Sequence, residues 1–197
     1  MTLMEQIARA DERGLAASAL ACLDRCLTPP DDGSDPEPLR PLWVSCETGR
    51  EWAERLDAVH AALERAAFEG GGETAARVRA MLGAAPREFA AGPLRAWADA
   101  CSLLALDIHR EFDFPAGDAD ALELYRSGGS AGGGPLVTGE VLRQTEILEV
   151  LAETPGTAGG GTGLRRVLDL SAEGRRVLRA VMSRRARGRA LGTGSGH

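Results

Sequence analysis

The sequence contains no lysine and no asparagine, so all 23 of its basic residues are arginine. A phosphate-binding P-loop needs a lysine to reach the β- and γ-phosphates, and a Schiff-base enzyme needs an amine whose pKa its surroundings can lower. Both chemistries are excluded by composition alone, and without asparagine there is no N-glycosylation acceptor. Aromatic residues are scarce too, eight in 197, only one of them tyrosine. No run approaches the roughly 20 apolar residues of a membrane-spanning helix. The stretch from Met1 to Gly14 is charged throughout and lacks the apolar core of a signal peptide. These absences point to a cytoplasmic chain with no membrane partner. Four cysteines in such a chain read as buried small residues or metal ligands before they read as disulfides.

What is abundant is alanine, 33 residues of it. Alanine is the strongest helix former, and the residues that favour strands are few, so summed propensity predicts an all-α fold with close helix contacts. At 44% apolar and 26% charged, 197 residues suffice for one compact domain, or one with a small appendage, at about 150 residues per domain. Thr2 with Glu5 three residues on is a capping-box pattern. Leu3, Met4, Ile7 and Ala10 share one helical face while Leu15, Ala19, Cys22, Leu23 and Cys26 share another, which predicts a bend or break near Asp11–Gly14 in a segment reaching about Leu27. Thr28–Pro38 reads as a loop. A second capping-box pattern, Thr48 and Glu51, precedes the cleanest amphipathic stripe: Trp52, Leu56, Val59, Leu63 and Ala66.

Gly70–Gly72 stop that helix, and a shorter one carrying Val78, Met81 and Leu82 ends at Gly83. Pro93, as a first helical residue, opens a helix lined by Leu94, Trp97, Cys101, Leu104, Ile108 and Phe112. Leu103 and Leu106 lie off that stripe, so this helix is expected to be central, with neighbours on more than one side. A short helix near Asp118–Arg126, a Gly/Ser run at Ser127–Gly134, and a helix with Val141, Leu148 and Leu151 follow. A second Gly-rich loop at Pro155–Gly163 then leads to a last helix capped by Ser171 and bearing Val177, Leu178, Val181 and Met182. The expected architecture is an all-α bundle of six or seven helices with a loosely attached C-terminal helical pair joined by Gly-rich loops. It divides into an acidic bundle over 1–126, a linker over 127–135, a helical segment over 136–191 that is basic at its end, and a disordered tail over 192–197.

Charge is distributed unevenly. Residues 164–191 hold nine arginines and two acids, a balance of +7, whereas residues 1–163 hold fourteen arginines and 27 acids, a balance of −13. Arg175, Arg176, Arg179, Arg184, Arg185, Arg187 and Arg189 are therefore the candidate partner- or anion-binding residues. They serve either to meet phosphates or to complement helix dipoles and the acidic body, of this copy or another. No aromatic residue interleaves with them, unlike a platform for stacked single-stranded bases.

The run Val167-Leu168-Asp169-Leu170-Ser171-Ala172-Glu173-Gly174-Arg175-Arg176-Val177-Leu178 resembles the junction between wing and last helix in winged-helix regulators of the MarR/PadR type. That resemblance implies a short strand ending at Ser171 and a closing helix that starts at Glu173-Gly174-Arg175. It also implies that the preceding helix reads DNA, but that helix carries Glu140, Glu146, Glu149 and Glu153 against Arg143 alone. A phosphate groove repels such a surface, so the family is not adopted.

Three arrangements bear on chemistry. Cys22 and Cys26, four apart on one helix face, are a candidate metal pair, with Cys46 and Cys101 to complete a thiolate set. His60 and Glu64 on one helix, with His109 and Asp113 on another, would converge into a metal or acid/base site if those helices are antiparallel neighbours. Gly128-Gly129-Ser130-Ala131-Gly132 has the spacing of a nucleophile elbow without the strand that would strain it. No dinucleotide signature is present, and no cofactor is expected. The reading that follows is a non-enzymatic interaction or regulatory protein that binds a protein partner or itself. The alternatives are a nucleic-acid-associated regulator using the Arg-rich helix and a small helical-bundle metalloenzyme with a histidine–carboxylate site.

Overall fold

The structure, a computed structural model, describes residues 1–27, 37–67, 72–113, 118, 121–129, 133–154 and 160–192, with backbone alone at 66–67, 160 and 188–192. Among these residues it is all helical, without a strand: α1 (Leu3–Arg9), α2 (Glu12–Cys26), α3 (Arg40–Ser45), α4 (Trp52–Ala67), α5 (Glu73–Gly83), α6 (Ala91–Phe112), α7 (Leu122–Arg126), α8 (Pro135–Glu153) and α9 (Gly160–Gly192). The all-α prediction holds, with nine helices where the periodicity predicts six or seven. The predicted Pro-rich loop (mostly 28–36), the serine of the elbow-like string (Ser130) and the tail (193–197) lie outside the described residues.

The capping box at Thr2 and Glu5 is formed in both directions, and the expected break falls at Ala10, after which the Asp11 carboxylate accepts from Gly14 N and starts α2. Every residue of α2 from Arg13 to Cys26 is buried. This helix, not α6, is the centre of the bundle: it packs against α6, α9, α8, α5 and α3. Ala16, Ala17, Ser18, Ala19, Ala21 and Cys22 project little, which lets neighbours approach from all sides. The stripe Leu15, Ala19, Cys22, Leu23 and Cys26 accounts for only one of its buried sides, and Arg13, Asp24 and Arg25 disguise the others. α6 is its principal neighbour, and the expected second side exists, since Leu106 packs with Leu122 of α7 and Val137 of α8.

The stripe Trp52, Leu56, Val59 and Leu63 is buried as predicted, but α4 begins at Trp52 rather than near Thr48. Thr48 accepts from Arg50 N, and Glu51 sits at φ 58° with its carboxylate on Arg55, so no second capping box forms. Gly49, at φ 68°, is required twice over, because a methyl there would lie 2.5 Å from the Phe89 ring. That ring packs edge-on to Trp52, which packs edge-on to Trp97. Pro93 is the third rather than the first residue of α6, which starts at Ala91.

The C-terminal pair is docked, not loose. α8 and α9 run antiparallel, as Thr154 beside Gly163, Glu146 on Arg166, and Glu140 near Ser171 all require. Both pack on α2 and α6. The expectation of a loop through Gly163, a strand before Ser171 and a cap at Ser171 is overturned by one unbroken helix of 33 residues, about 50 Å long at 1.5 Å per residue. Val167, Ser171, Gly174 and Leu178 form its buried stripe, and a methyl at Gly174 would lie 2.5 Å from Arg25 Cδ and 2.8 Å from Arg143 Cδ. A serine and a glycine that read as punctuation in sequence are there to let α9 approach α2.

Candidate functional site

Four helices converge on a polar centre with no exposed side chain at its heart. Arg25 of α2 grips Glu140 of α8 with two nitrogens, Nη2 to Oε1 at 2.5 Å and Nε to Oε2 at 3.0 Å, and both side chains are fully buried. Gln144 donates to the same carboxylate at 2.9 Å and Arg143 at 3.2 Å, while Ser102 of α6 donates to Gln144 at 2.6 Å. Arg25 also reaches Ser171 of α9 at 3.4 Å. The buried His109 ring of α6 stands between two acceptors, its Nδ1 2.7 Å from Ala105 O and its Nε2 3.5 Å from Glu140 Oε2. Burial favours the neutral acid, yet Arg25 and His109, with hydrogen bonds from Arg25 and Gln144, outweigh it and hold the Glu140 carboxyl down at about 2.

The sequence analysis counts Glu140 only among the acids of a helix that a phosphate groove would repel. A signal was present: Val137, Glu140, Gln144, Ile147 and Leu151 are spaced three, four, three and four, which puts Glu140 on the apolar stripe. Because its folded pKa lies below the unfolded value near 4.5, the carboxylate contributes stability that is fully present above that value. It is lost as pH falls from about 4.5 toward 2. Denaturant midpoints measured from pH 7 down to 2.5 are expected to fall more steeply in that window for the native protein than for a variant in which Arg25→Met and Glu140→Leu are combined. Parallel curves would refute the assignment.

The candidate metal ligands are dispersed. His109 belongs to the buried centre, whereas His60 lies on α4, which packs chiefly on α3 and α5, and Glu64 faces solvent. Asp113 does other work: its carboxylate accepts from Leu136 N at 2.8 Å and Val137 N at 3.0 Å, closing the first turn of α8. α4 meets α6 through Trp52 on Trp97 rather than along its length, and among the described residues these four side chains do not gather as a set. Cys22, Cys26, Cys46 and Cys101 are all buried free thiols. Burial pushes each of them up, Cys22 to about 12, and Cys46 sits apart beside Arg13 and Glu47. Among the described residues no three histidine, cysteine or acidic side chains gather as a metal site.

The arginines of α9 divide into two sets. Arg175 holds the buried Asp24 at 3.2 Å. Arg185 donates to Glu111 O at 2.7 Å and Asp113 O at 2.9 Å and lies over the Phe112 ring, closing the C-terminal turn of α6. Arg176, Arg179, Arg184 and Arg187 are exposed and have no ion-pair partner among the described residues, Arg187 reaching only Ser183 of its own helix at 2.7 Å. Arg189 is described by its backbone alone. At 100° per residue the four outward arginines fall within an arc of about 140°. One further feature depends on α3, which falls between the predicted loop ending at Pro38 and the helix predicted near Thr48: α3 and α9 leave a groove between them. Comparison with known protein families, with curated proteins and with solved structures yields no match.

Proposed function

We propose that the protein is a non-enzymatic interaction protein that associates with an acidic protein surface, in the first instance the acidic body of a second copy, through Arg176, Arg179, Arg184 and Arg187. The observation that carries this reading is the arginine stripe itself: four guanidinium groups aligned on one face, exposed, and not used by the fold that engages Arg175 and Arg185. The charge balance of −13 over residues 1–163 supplies the complementary surface. The sealed centre around Glu140 supports a structural role for the strongest polar cluster, and no metal-binding cluster competes with it among the described residues.

Sedimentation over a concentration series at low salt tests the reading. The native protein is expected to self-associate, less so as salt rises. Reversing the four arginines to glutamate is expected to raise the dissociation constant about a hundredfold, if each exposed pair is worth on the order of 0.5–1 kcal/mol. Deleting the helix is the wrong experiment, because Val167, Ser171 and Leu178 of the same helix are core. A monomer at every concentration and salt sinks self-association. Salt-sensitive binding of random-sequence duplex DNA by that monomer would reassign the stripe to phosphates.

A further inference from the structure

The antiparallel register of α8 and α9 lays out one solvent face along both helices. On α8, Leu142, Glu146, Glu149 and Glu153 follow at spacings of four, three and four, the repeat of one helical side. Glu146 borders α9 through its ion pair with Arg166 at 3.1 Å. On α9, Arg166, Glu173, Val177 and Arg184 form the adjoining flank, since Arg184 stands eighteen residues, about five turns, beyond Arg166. Arg176 and Arg187 lie beside that line, exposed. Leu142 is 65% exposed and Val177 42%, so the middle of the face presents apolar surface to water.

Charge on this face is split between its two ends. Glu149 is exposed with the neutral Gln6 amide on it at 3.2 Å, and Glu153 is exposed with no ion-pair partner among the described residues. Both lie toward the end where Thr154 stands beside Gly163. Arg184 and Arg187 lie toward the other end, where Arg185 reaches the Asp113 carbonyl and the Asp113 carboxylate receives the start of α8. Between the ends, Arg143 packs beside Gly174. From Leu142, Glu153 is eleven residues away, about 16 Å, and from Gly174, Arg184 is ten residues away in the opposite direction, about 15 Å. Glu173, near the middle, is offset by Arg176 three residues on.

A face with opposite charges at similar distances from an apolar centre is complementary to itself once turned end for end. We propose that the face shared by α8 and α9 docks on the same face of a second copy, reversed, with Glu149 and Glu153 of each copy against Arg176, Arg184 and Arg187 of the other and Leu142 and Val177 at the centre. The proposal rests on the self-association put forward above and names its acidic surface.

Two charge-reversed forms of the full chain test it by sedimentation at low salt: Glu149→Arg with Glu153→Arg, and Arg184→Glu with Arg187→Glu. The native protein is expected to stop at a dimer. Each reversed form alone is expected to dimerise about a hundredfold more weakly, because every lost pair occurs twice in a twofold contact. An equimolar mixture of the two is expected to regain native affinity, since both ends again face opposite charge, and that recovery also shows that both forms are folded. Leu142→Asp is expected to weaken the dimer about tenfold. Native association that ignores the two glutamate reversals and Leu142→Asp overturns this surface and leaves self-association standing, as does growth beyond two copies. A native protein that is monomeric throughout overturns both.

Discussion

Glu140→Ala is expected to destabilise the protein by about 3–5 kcal/mol, the loss seen when one member of a buried ion pair is removed. Arg25 would then be left fully buried with Ser171 and Cys22 as its remaining side-chain partners, and Gln144 would lose an acceptor. Combining Arg25→Met with Glu140→Leu should restore most of that loss, because an apolar pair of similar volume avoids the desolvation cost of both charges. His109 keeps its contact with Ala105 O, which involves neither of the substituted residues. Denaturant unfolding of the two single variants and the double variant measures the coupling directly. If the double variant is as unstable as the sum of the singles, the pair is not the unit described here.

Asp113→Ala is expected to cost about 2–4 kcal/mol, because Leu136 N and Val137 N would become unpaired donors at a partly buried helix start. Asp113→Asn keeps an acceptor oxygen but not the charge, and should lose roughly half as much. Gly134→Ala attacks the same joint from the other side, since its methyl would collide with the Asp113 carboxylate. Thermal melts of the three variants rank them. A negligible effect of Asp113→Ala would mean that α8 starts securely without it. The joint matters beyond α8, because the Asp113 carbonyl also receives Arg185, so one residue ties α6, α8 and α9 together.

Much of this architecture was legible because amphipathic stripes follow from local spacing: Trp52 to Leu63 on α4 and Leu94 to Ile108 on α6 stand where the periodicity puts them. The centre of the bundle was not legible, since α2 is surrounded and the face Leu15, Ala19, Cys22, Leu23 and Cys26 is only one of its buried sides. Ser171 and Gly174 mislead for a related reason: serine and glycine mark ends when a helix faces water, but inside a tight crossing they supply the missing bulk. Of the site, Arg175 to Arg187 were readable as a group by charge, but not which two of them turn inward. That depends on Asp24 and on the end of α6, both remote in sequence. Glu140 is hidden by its charge, although its register with Val137, Gln144 and Ile147 puts it on the buried stripe.

The burial of all four thiols in two separate places gives the folded chain internal clocks. Cys46 reports on the corner between α3 and α4, while Cys22, Cys26 and Cys101 report on the contact between α2 and α6. An alkylating reagent can reach either group only when that region opens, so the order in which the sulfurs react separates partial fraying from wholesale unfolding without adding any label.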